Sequence, residues 1–333
     1  MIRRVLFGQA ATRVALLAAL MAATIAVQAR FYLGAPFRNG MMMQQKAEVV
    51  IWGTASPGST ISITPSWDSP TVKTQAGADR KRRVKVSTPS ASFEEQELEI
   101  ADDQGWTSHL RNILIGEVWL ASGQSNMEMP VSGWGSDNPI HHVDSILDSA
   151  TRYAGKLRFV KVPAKLSGTP SDSCGIVWQE CSSSTISSFS VVSYFFATHL
   201  IDSLNIPVGI INASFGGSDV IAWMPGEVCR SVSGIPINSS VYNNITQSSP
   251  AACYNTMIRP LRRFTIAGFI WYQGENNVYN RREDYARNLT DMIRSWREEW
   301  GQGDLPFYQV ELTPYSYGNI QGTEAPLVRE EQN

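Results

Sequence analysis

The strongest constraint on the fold is a change in hydrophobic pattern near residue 113. Beyond that point, five short apolar runs alternate with polar or helical stretches, at 112–122, 157–163, 206–214, 266–273 and 305–312. Apolar runs of strand length separated by helical segments are typical of parallel strands with helices packed on both faces of the sheet. Residues 113–333 are therefore predicted to form an α/β domain built on a parallel sheet.

Two segments between the strands have the 3.6-residue period of a helix that packs against a sheet. The apolar stripe of segment 189–204 is formed by Val192, Phe195, Phe196 and Leu200. The apolar stripe of segment 282–300 is formed by Tyr285, Leu289, Met292, Trp296 and Trp300. Both segments are predicted to be helices that cover the sheet with these residues.

Residues 30–112 have a different pattern and are predicted to form a small, all-β sandwich domain. Segment 47–65 alternates apolar and polar residues on either side of a Pro57-Gly58 turn, which is typical of a pair of strands. No helix-period stretch of useful length occurs in this part. The tract 77–86 is strongly basic and is interpreted as a solvated hairpin tip in preference to a polyanion site.

Residues 1–29 have the layout of a secretory signal peptide. Arg3 and Arg4 precede an apolar run at 14–27, and "VQA" ending at Ala29 offers a small-residue cleavage site. The run is shorter than the ~20 residues of a membrane span, although a signal anchor is the alternative interpretation. The protein is therefore predicted to be secreted or otherwise extracytoplasmic (lysosomal, periplasmic or extracellular), without stable membrane association after cleavage.

Charge and cysteine content limit the partners and cofactors. A formal net charge of -2 and a pI near 6.1 provide no basic stripe for nucleic-acid phosphates, so nucleic-acid binding is not expected. In an exported protein, two disulfides in any of three pairings could join Cys174, Cys181, Cys229 and Cys253. None of these cysteines has a histidine at metal-ligand spacing, so neither a metal site nor a cofactor is predicted.

Polar or glycine-rich residues follow three of the predicted strands. The three segments are "GQSNM" (123–127), "NASFGGSD" (212–219) and "WYQGENN" (271–277). In an open α/β sheet, ligands bind in the crevice beyond the carboxyl ends of the strands. The three segments are therefore predicted to contribute to one shared ligand site.

Ser125 has two interpretations, which are compatible with each other. Ser125 to Glu128 fits the S-x-x-E capping box that starts a helix. Alternatively, Ser125 is the nucleophile of an acyl transfer, which also needs donors facing the oxyanion of the tetrahedral intermediate. Those donors would be the Ser125 N–H, a glycine N–H from Gly216-Gly217 and the Gln273 amide. The serine is not in a G-x-S-x-G elbow, which argues against an α/β-hydrolase.

Five segments together resemble the sialate O-acetylesterase family. They are "GEVWLASGQSNMEMP", "IPVGIINASFGGSDVIAWMP", "YNTMIRPL", "GFIWYQGENNV" and "LPFYQVELTPY". The family comprises secreted serine esterases of the SGNH-hydrolase type, related to some acetylxylan esterases, and the resemblance extends from about residue 37 to the last residue. It implies a β-sandwich followed by a flavodoxin-like, three-layer α/β/α domain. It also implies removal of O-acetyl groups from sialic acids or other acetylated sugars through an acetyl-serine intermediate, without a cofactor.

The resemblance assigns roles to residues at the strand ends. It implies that Ser125 is the nucleophile, that Gly217 and Gln273 lie in the oxyanion hole, and that Glu275 orients its neighbours by hydrogen bonding. The flanking polar positions assigned to substrate binding are Gln124, Asn126, Gly216 and Asn276.

One part of the family pattern is missing from this sequence. The family places its base in an Asp-x-x-His after a segment resembling 325–333, and the sequence stops at Asn333. None of the histidines fits that motif; they are His109, His141, His142 and His199. The esterase domain is therefore interpreted as truncated before that motif, with impaired activity, and His141 or His142 is the only available substitute base.

Two other functions stay open. A non-catalytic carbohydrate-binding pseudoenzyme would use the same pocket without the chemistry. An esterase acting on acetylated xylan or another glycan would keep the chemistry and change the substrate.

Overall fold

The computed structural model describes residues 31–137, 139–237, 244–280, 282–315, 317 and 324–333. The predicted signal peptide, residues 1–29, lies outside the described residues. In the part of the chain that is described, no helix has the length and apolar character needed to cross a membrane.

The strands of the described residues are β1 (Tyr32–Leu33), β2 (Met42–Gln44), β3 (Glu48–Thr54), β4 (Thr60–Pro65), β5 (Val72–Gln75), β6 (Lys81–Ser87), β7 (Ser92–Asp102), β8 (Thr107–Gly123), β9 (Leu157–Lys161), β10 (Gln179–Glu180), β11 (Val208–Ser214), β12 (Gly268–Tyr272) and β13 (Phe307–Gln309). The α-helices are α1 (Ser125–Glu128), α2 (Val143–Ser149), α3 (Ser183–Ile186), α4 (Val191–Leu204), α5 (Gly226–Ser231), α6 (Glu275–Tyr279), α7 (Tyr285–Trp300) and α8 (Glu324–Gln332). Short 3-10 segments span Gly135–Asp137, Ala150–Tyr153, Val220–Trp223, Arg259–Leu261 and Arg282–Asp284, and a π-helical turn spans Tyr254–Ile258.

A parallel sheet lies at the centre of the C-terminal part. β8 pairs in parallel with β11 on one side and with β12 on the other. β9 extends the sheet beyond β11, and β13 extends it beyond β12. The five predicted strands are thus present and parallel, in the order β9-β11-β8-β12-β13. Every residue of β11 and β12 is buried, which explains why these strands are almost continuously apolar.

Helices cover both faces of this sheet, which confirms the predicted α/β architecture. Helix α4 packs with the strand residues Ala121, Ile210 and Ile270. Helix α7 packs with Phe269 and Trp271. Because successive strand residues point to opposite faces, the two helices lie on opposite sides of β12.

The predicted apolar stripe is confirmed for α7. In α4, Val192, Phe196 and Leu200 are partly buried against the core, and the prediction is wrong at Phe195. All five stripe residues of α7 are buried, whereas Phe195 of α4 is 50% exposed. The residues that α4 buries are Val191, Ser193, Tyr194, Ala197, Thr198 and Ile201. Ser193 contacts Met127 Sδ at 3.6 Å and accepts a hydrogen bond from Asn212 Nδ2 at 3.3 Å. The inward face of α4 is thus centred on Tyr194, Ala197 and Ile201, and the Phe195 ring lies outside it.

The N-terminal part consists mainly of antiparallel β structure, as predicted. β3 pairs with β1 and β6, and a second group of strands pairs in the order β5-β4-β7-β8. β8 continues across residue 112, although Asn112 has a positive φ of +56° and the register with β7 shifts between Leu110 and Ile113. Its first half pairs with β7 and its second half with β11 and β12. The domain boundary at residues 112/113 stays a prediction.

The basic tract at 77–86 is only partly a solvated hairpin tip. Residues 77–81 are exposed, but Arg82 in β6 is only 4% exposed. The interpretation as a solvated tip is therefore wrong at Arg82, because the alternation of β6 turns this side chain inward.

The four cysteines are free thiols, so none of the possible disulfide pairings is present. Cys181 lies in the core cluster beside α4, whereas Cys229 and Cys253 lie in the other core cluster. Burial raises the pKa of Cys181 and Cys229 to about 12, so these thiols stay protonated at neutral pH. Among the described residues, no three His, Cys, Asp or Glu side chains are grouped so that they could hold a metal ion.

Candidate active site

The three polar strand ends lie next to one another. Gly123 at the end of β8 is in register with Ser214 at the end of β11 and with Tyr272 at the end of β12. The Gln124 N–H donates to the Tyr272 carbonyl, and the Phe215 N–H donates to the Gly123 carbonyl, both at 3.0 Å. The predicted convergence of these segments is therefore present in the structure.

Gly123 is required by a close approach of backbone to backbone. Its φ is +144°, and a Cβ at this position would lie 2.0 Å from the Tyr272 carbonyl oxygen. Only glycine fits such a contact without displacement of the neighbouring strand. The chain can then turn directly from β8 into α1, which places Ser125 at the rim of the sheet.

Ser125 is the first residue of α1, and its side chain is partly exposed. Within the described part of the chain, its hydroxyl has no hydrogen-bond partner. The helix cap is Gln124, without a side-chain capping bond, so the predicted capping box is wrong. The Glu128 carboxylate accepts the Gly216 N–H at 2.7 Å instead. The Ser125 hydroxyl is therefore not engaged in capping and is available for chemistry.

The Gly216-Gly217 turn lies against Ser125. A Cβ at Gly216 would be 3.8 Å from the Ser125 Cβ and 3.3 Å from Glu128 Oε2. The Gly216 N–H is occupied by Glu128, as described above. Gly217 has a φ of +66°, and no acceptor for its N–H is found among the described residues. The same holds for the Ser125 N–H, so these two donors remain for a ligand oxygen.

Gln273 is too deeply buried for its side chain to face a ligand. It is fully buried, and its Nε2 donates to the Ser218 carbonyl at 2.9 Å and to Asn277 Oδ1 at 2.7 Å. Both amide hydrogens are thus used within the protein. In this arrangement the side chain supports the turn after β11. The predicted hydrogen bond from this amide to an oxyanion is not formed by this geometry, and a catalytic role for Gln273 stays a prediction.

Gln124 and Asn276 are also held by protein groups. The buried Gln124 Oε1 accepts the N–H of Gly274 at 3.3 Å and of Asn276 at 3.1 Å. Asn276 Nδ2 donates to Ser248 Oγ at 3.3 Å. Gln124 therefore fixes the start of α6 next to β8, and substrate binding by either residue stays a prediction.

Glu275 and Asn126 link α6 to α1. Asn126 Nδ2 donates to Glu275 Oε1, and no hydrogen-bond partner for the buried Glu275 Oε2 is found among the described residues. Burial raises the pKa of Glu275, although the hydrogen bonds from its own N–H and from Asn126 oppose this shift. The predicted orienting role of Glu275 is consistent with this bond, which holds Asn126 beside Ser125.

Replacement of Glu275 by glutamine is expected to make the protein less sensitive to rising pH. A carboxyl group whose pKa is raised by folding stabilises the protein below its ordinary pKa, and this contribution is lost as the pH rises through the folded value. The free energy of unfolding of the Glu275→Gln variant should therefore increase relative to that of the native protein as the pH rises from about 4 into the neutral range. Urea unfolding across this range measures the difference, and parallel curves would contradict the expectation.

No histidine adjoins Ser125 in the described part of the chain. His109 lies on β8 and pairs with Glu97. His141, His142 and His199 are exposed, and no hydrogen bond joins any of them to the serine. The structure therefore offers no support for His141 or His142 as a substitute base.

Sequence reasoning missed a buried polar network beneath the site. Asn277 is fully buried, accepts the Val220 N–H at 3.1 Å and donates to Asp219 Oδ1 at 3.1 Å. The Gln273 carbonyl accepts hydrogen bonds from the Tyr285 hydroxyl at 3.0 Å and from Gln332 Nε2 at 3.1 Å. The sequence did contain a signal for Asn277, because this residue is the last of the polar "QGENN" segment that was singled out for the site.

Comparison with known proteins shows what this chain is similar to. The sequence profile of the family described as "Carbohydrate esterase, sialic acid-specific acetylesterase" matches residues 115–333. The sialate O-acetylesterases of Homo sapiens and Pongo abelii are each 28% identical to the chain over 307 residues, covering 85% of this chain and 57% of the relative. A carbohydrate acetylesterase from Xanthomonas citri has a similar structure, with a TM-score of 0.78, 32% identity, and coverage of 91% of this chain and 66% of that chain. The chain thus spans little more than half the length of the curated relatives.

Proposed function

Because the chain belongs to the sialic acid-specific acetylesterase family of carbohydrate esterases, we propose that it is a carboxylic ester hydrolase that removes O-acetyl groups from sugars. Acetylated sialic acids are the proposed substrates, in line with the name of the family and of its relatives. Ser125 is the proposed nucleophile, and no cofactor is needed.

The observation that supports this function best is the position of Ser125. Its hydroxyl has no protein partner among the described residues, and the Gly216-Gly217 turn lies against it. In the proposed reaction, Ser125 Oγ attacks the acetyl carbonyl carbon, and the carbonyl oxygen becomes an oxyanion bound by the Ser125 and Gly217 N–H groups. The sugar oxygen then leaves with a proton, and water releases acetate from the acetyl-serine.

Among the described residues, this arrangement lacks a base that could accept the hydroxyl proton of Ser125. A serine hydroxyl without an adjacent base is a poor nucleophile at neutral pH, and the described histidines do not contact Ser125. We therefore expect the chain of 333 residues to be acetylated by an activated ester and to turn over slowly. Hydrolases that lose their triad retain only about 10³–10⁴-fold acceleration over water.

The test is to look for the acetyl-serine directly. The purified protein is incubated with p-nitrophenyl acetate, O-acetylated sialic acid or acetylated xylan, and quenched samples are analysed for acetate and for acetylation of the peptide that contains Ser125. An acetylated Ser125 peptide is the expected result. The relative rates with the two sugar substrates distinguish a sialate esterase from an acetylxylan-type esterase.

The alternative function is a non-catalytic carbohydrate-binding protein, which is favoured by the lack of a histidine beside Ser125 among the described residues. Such a protein would bind acetylated sialic acid in calorimetry without acetylation of Ser125 and without acetate release. That result would overturn the proposed hydrolase activity.

The proposed location is outside the cytoplasm, on the basis of the signal-peptide pattern in residues 1–29. Export with cleavage after Ala29 would leave the protein without stable membrane association. N-terminal sequencing of exported protein tests this proposal, and a retained N-terminus would contradict it.

A further inference from the structure

The basic tract 77–86 meets a second basic segment, 259–263, at a cavity outside the candidate active site. The cavity has a volume of about 230 Å³ and lies between the β1-β3-β6 sheet and the Arg259–Leu261 turn. The cationic side chains that line it are Lys81, Arg82, Arg83, Arg259, Arg262 and Arg263. It shares no lining residue with the site around Ser125.

The positive charge of the cavity is not balanced by its walls. Among the lining residues, Asp172 is the only carboxylate. It pairs with Arg259 at 3.1 Å, with Arg262 at 3.6 Å and with Lys81 at 4.0 Å. Arg262 also pairs with Glu299 at 3.7 Å. Two carboxylates thus face the six cationic side chains of the lining, which leaves an excess of positive charge.

Arg82 is the residue that indicates a ligand. It is 4% exposed, and its Nη1 donates to the Lys81 carbonyl. Its Nε and Nη2 are buried, and neither has a hydrogen-bond partner among the described residues. Arg259 Nε is also buried and has no hydrogen-bond partner among the described residues. Buried guanidinium donors are costly when unpaired, and an anion that drew these side chains into the cavity would satisfy them.

We propose that this cavity binds a phosphoryl or sulfuryl group, either as the free ion or as the monoester of a sugar. A tetrahedral oxyanion offers several acceptor oxygens to guanidinium groups that converge from different directions, and arginine is the side chain best suited to such contacts. The negative charge of such a group suits a wall in which cations outnumber carboxylates. Tyr32 and Trp52 also line the cavity, and their rings provide an apolar surface for a sugar attached to the anion.

The first experiment measures binding to the purified native protein. Thermal unfolding and calorimetry are carried out at constant ionic strength with inorganic phosphate, inorganic sulfate or glucose 6-phosphate, and with glucose as the uncharged control. A saturable rise in unfolding temperature is expected with the anions and not with glucose, because a ligand that binds only the folded state stabilises it. Tighter binding of glucose 6-phosphate than of phosphate would identify the sugar ester as the ligand, and the reverse order would identify the free ion.

The second experiment locates the binding site with variants. Arg82→Met keeps the apolar stem and removes the unpartnered donors, and it should weaken phosphate binding by about tenfold or more, equivalent to the loss of about 1.4 kcal/mol. Without phosphate, this variant should be no less stable than the native protein. Lys85→Gln on the same strand is the matched control, since Lys85 is exposed and does not line the cavity.

Arg83→Gln and Arg263→Gln provide the same test at more exposed positions, should Arg82→Met not fold. The proposal is overturned if no anion gives a saturable effect, or if binding persists unchanged in all of the cavity variants that fold. Acetylation of Ser125 should be unaffected by these substitutions, so failure of this proposal is distinguishable from failure of the proposed esterase function.

Discussion

Replacement of Ser125 by alanine is expected to abolish acetylation of the protein and to stop the acetate release that passes through the acetyl-serine. The substitution removes the hydroxyl oxygen of the proposed nucleophile, while the backbone N–H groups of residues 125 and 217 remain in position. In a serine hydrolase with a complete triad, loss of the nucleophile costs about a millionfold in kcat. The measurement is mass spectrometry of the peptide that contains residue 125, together with an acetate assay.

Ser122→Ala is the matched control for this prediction. Ser122 lies three positions before the nucleophile on β8, is fully buried, and has a hydroxyl without a hydrogen-bond partner among the described residues. Removal of an unsatisfied buried hydroxyl does not destabilise a protein as the loss of a bonded one does. The control should therefore fold and retain acetylation at Ser125. If the Ser125→Ala variant is still acetylated, a different residue is the nucleophile.

The convergence of the strand ends could be predicted because it depends only on the parallel arrangement of the strands. Parallel strands place their carboxyl ends at the same edge of a sheet, and buried parallel strands have near-continuous apolar sequences that are easily recognised. Gly123, Ser214 and Tyr272 are therefore neighbours in the structure, although they are far apart in the sequence.

The hydrogen-bond partners within the site could not be predicted in the same way. Glu128 has the spacing of a capping-box residue, but its carboxylate bonds to the N–H of Gly216, 88 residues away. Gln273 and Gln124 are polar residues at strand ends, and only their burial shows that they support turns and helix starts. A local pattern states what a side chain is able to bond, whereas the tertiary fold determines which acceptor is nearest.

Helix α4 and the basic tract 77–86 show that the burial of single side chains is also hard to predict from local sequence. The period of α4 predicts a buried Phe195, but the helix buries the neighbouring Ser193, which contacts Met127 and Asn212, and leaves Phe195 half exposed. The charge of residues 77–86 predicts exposure, whereas strand alternation buries Arg82. In both cases the tertiary environment of one side chain outweighs the average tendency of the segment.

The position of Ser125 depends on the backbone contact at Gly123. β8, β11 and β12 meet at this residue, where Phe215 N–H donates to the Gly123 carbonyl and Gln124 N–H donates to the Tyr272 carbonyl. The space for a side chain is absent, since a Cβ would lie 2.0 Å from the Tyr272 oxygen and 2.7 Å from its carbonyl carbon. A displacement of β8 here would carry α1, and with it the serine hydroxyl, away from the Gly216-Gly217 turn.

Gly123→Ala is therefore expected to lower the free energy of unfolding by about 2–6 kcal/mol, the combined cost of a strained φ and of forced overpacking, and to abolish acetylation of Ser125. Gly155→Ala is the control, since Gly155 also has a positive φ of +68° but a Cβ there would meet no neighbouring atom within 4 Å. It should cost only about 1–2 kcal/mol and leave acetylation intact. Urea unfolding and Ser125 acetylation of both variants separate backbone strain from the clash with Tyr272. Equal effects of the two substitutions would show that the contact at Gly123 does not hold the nucleophile in place.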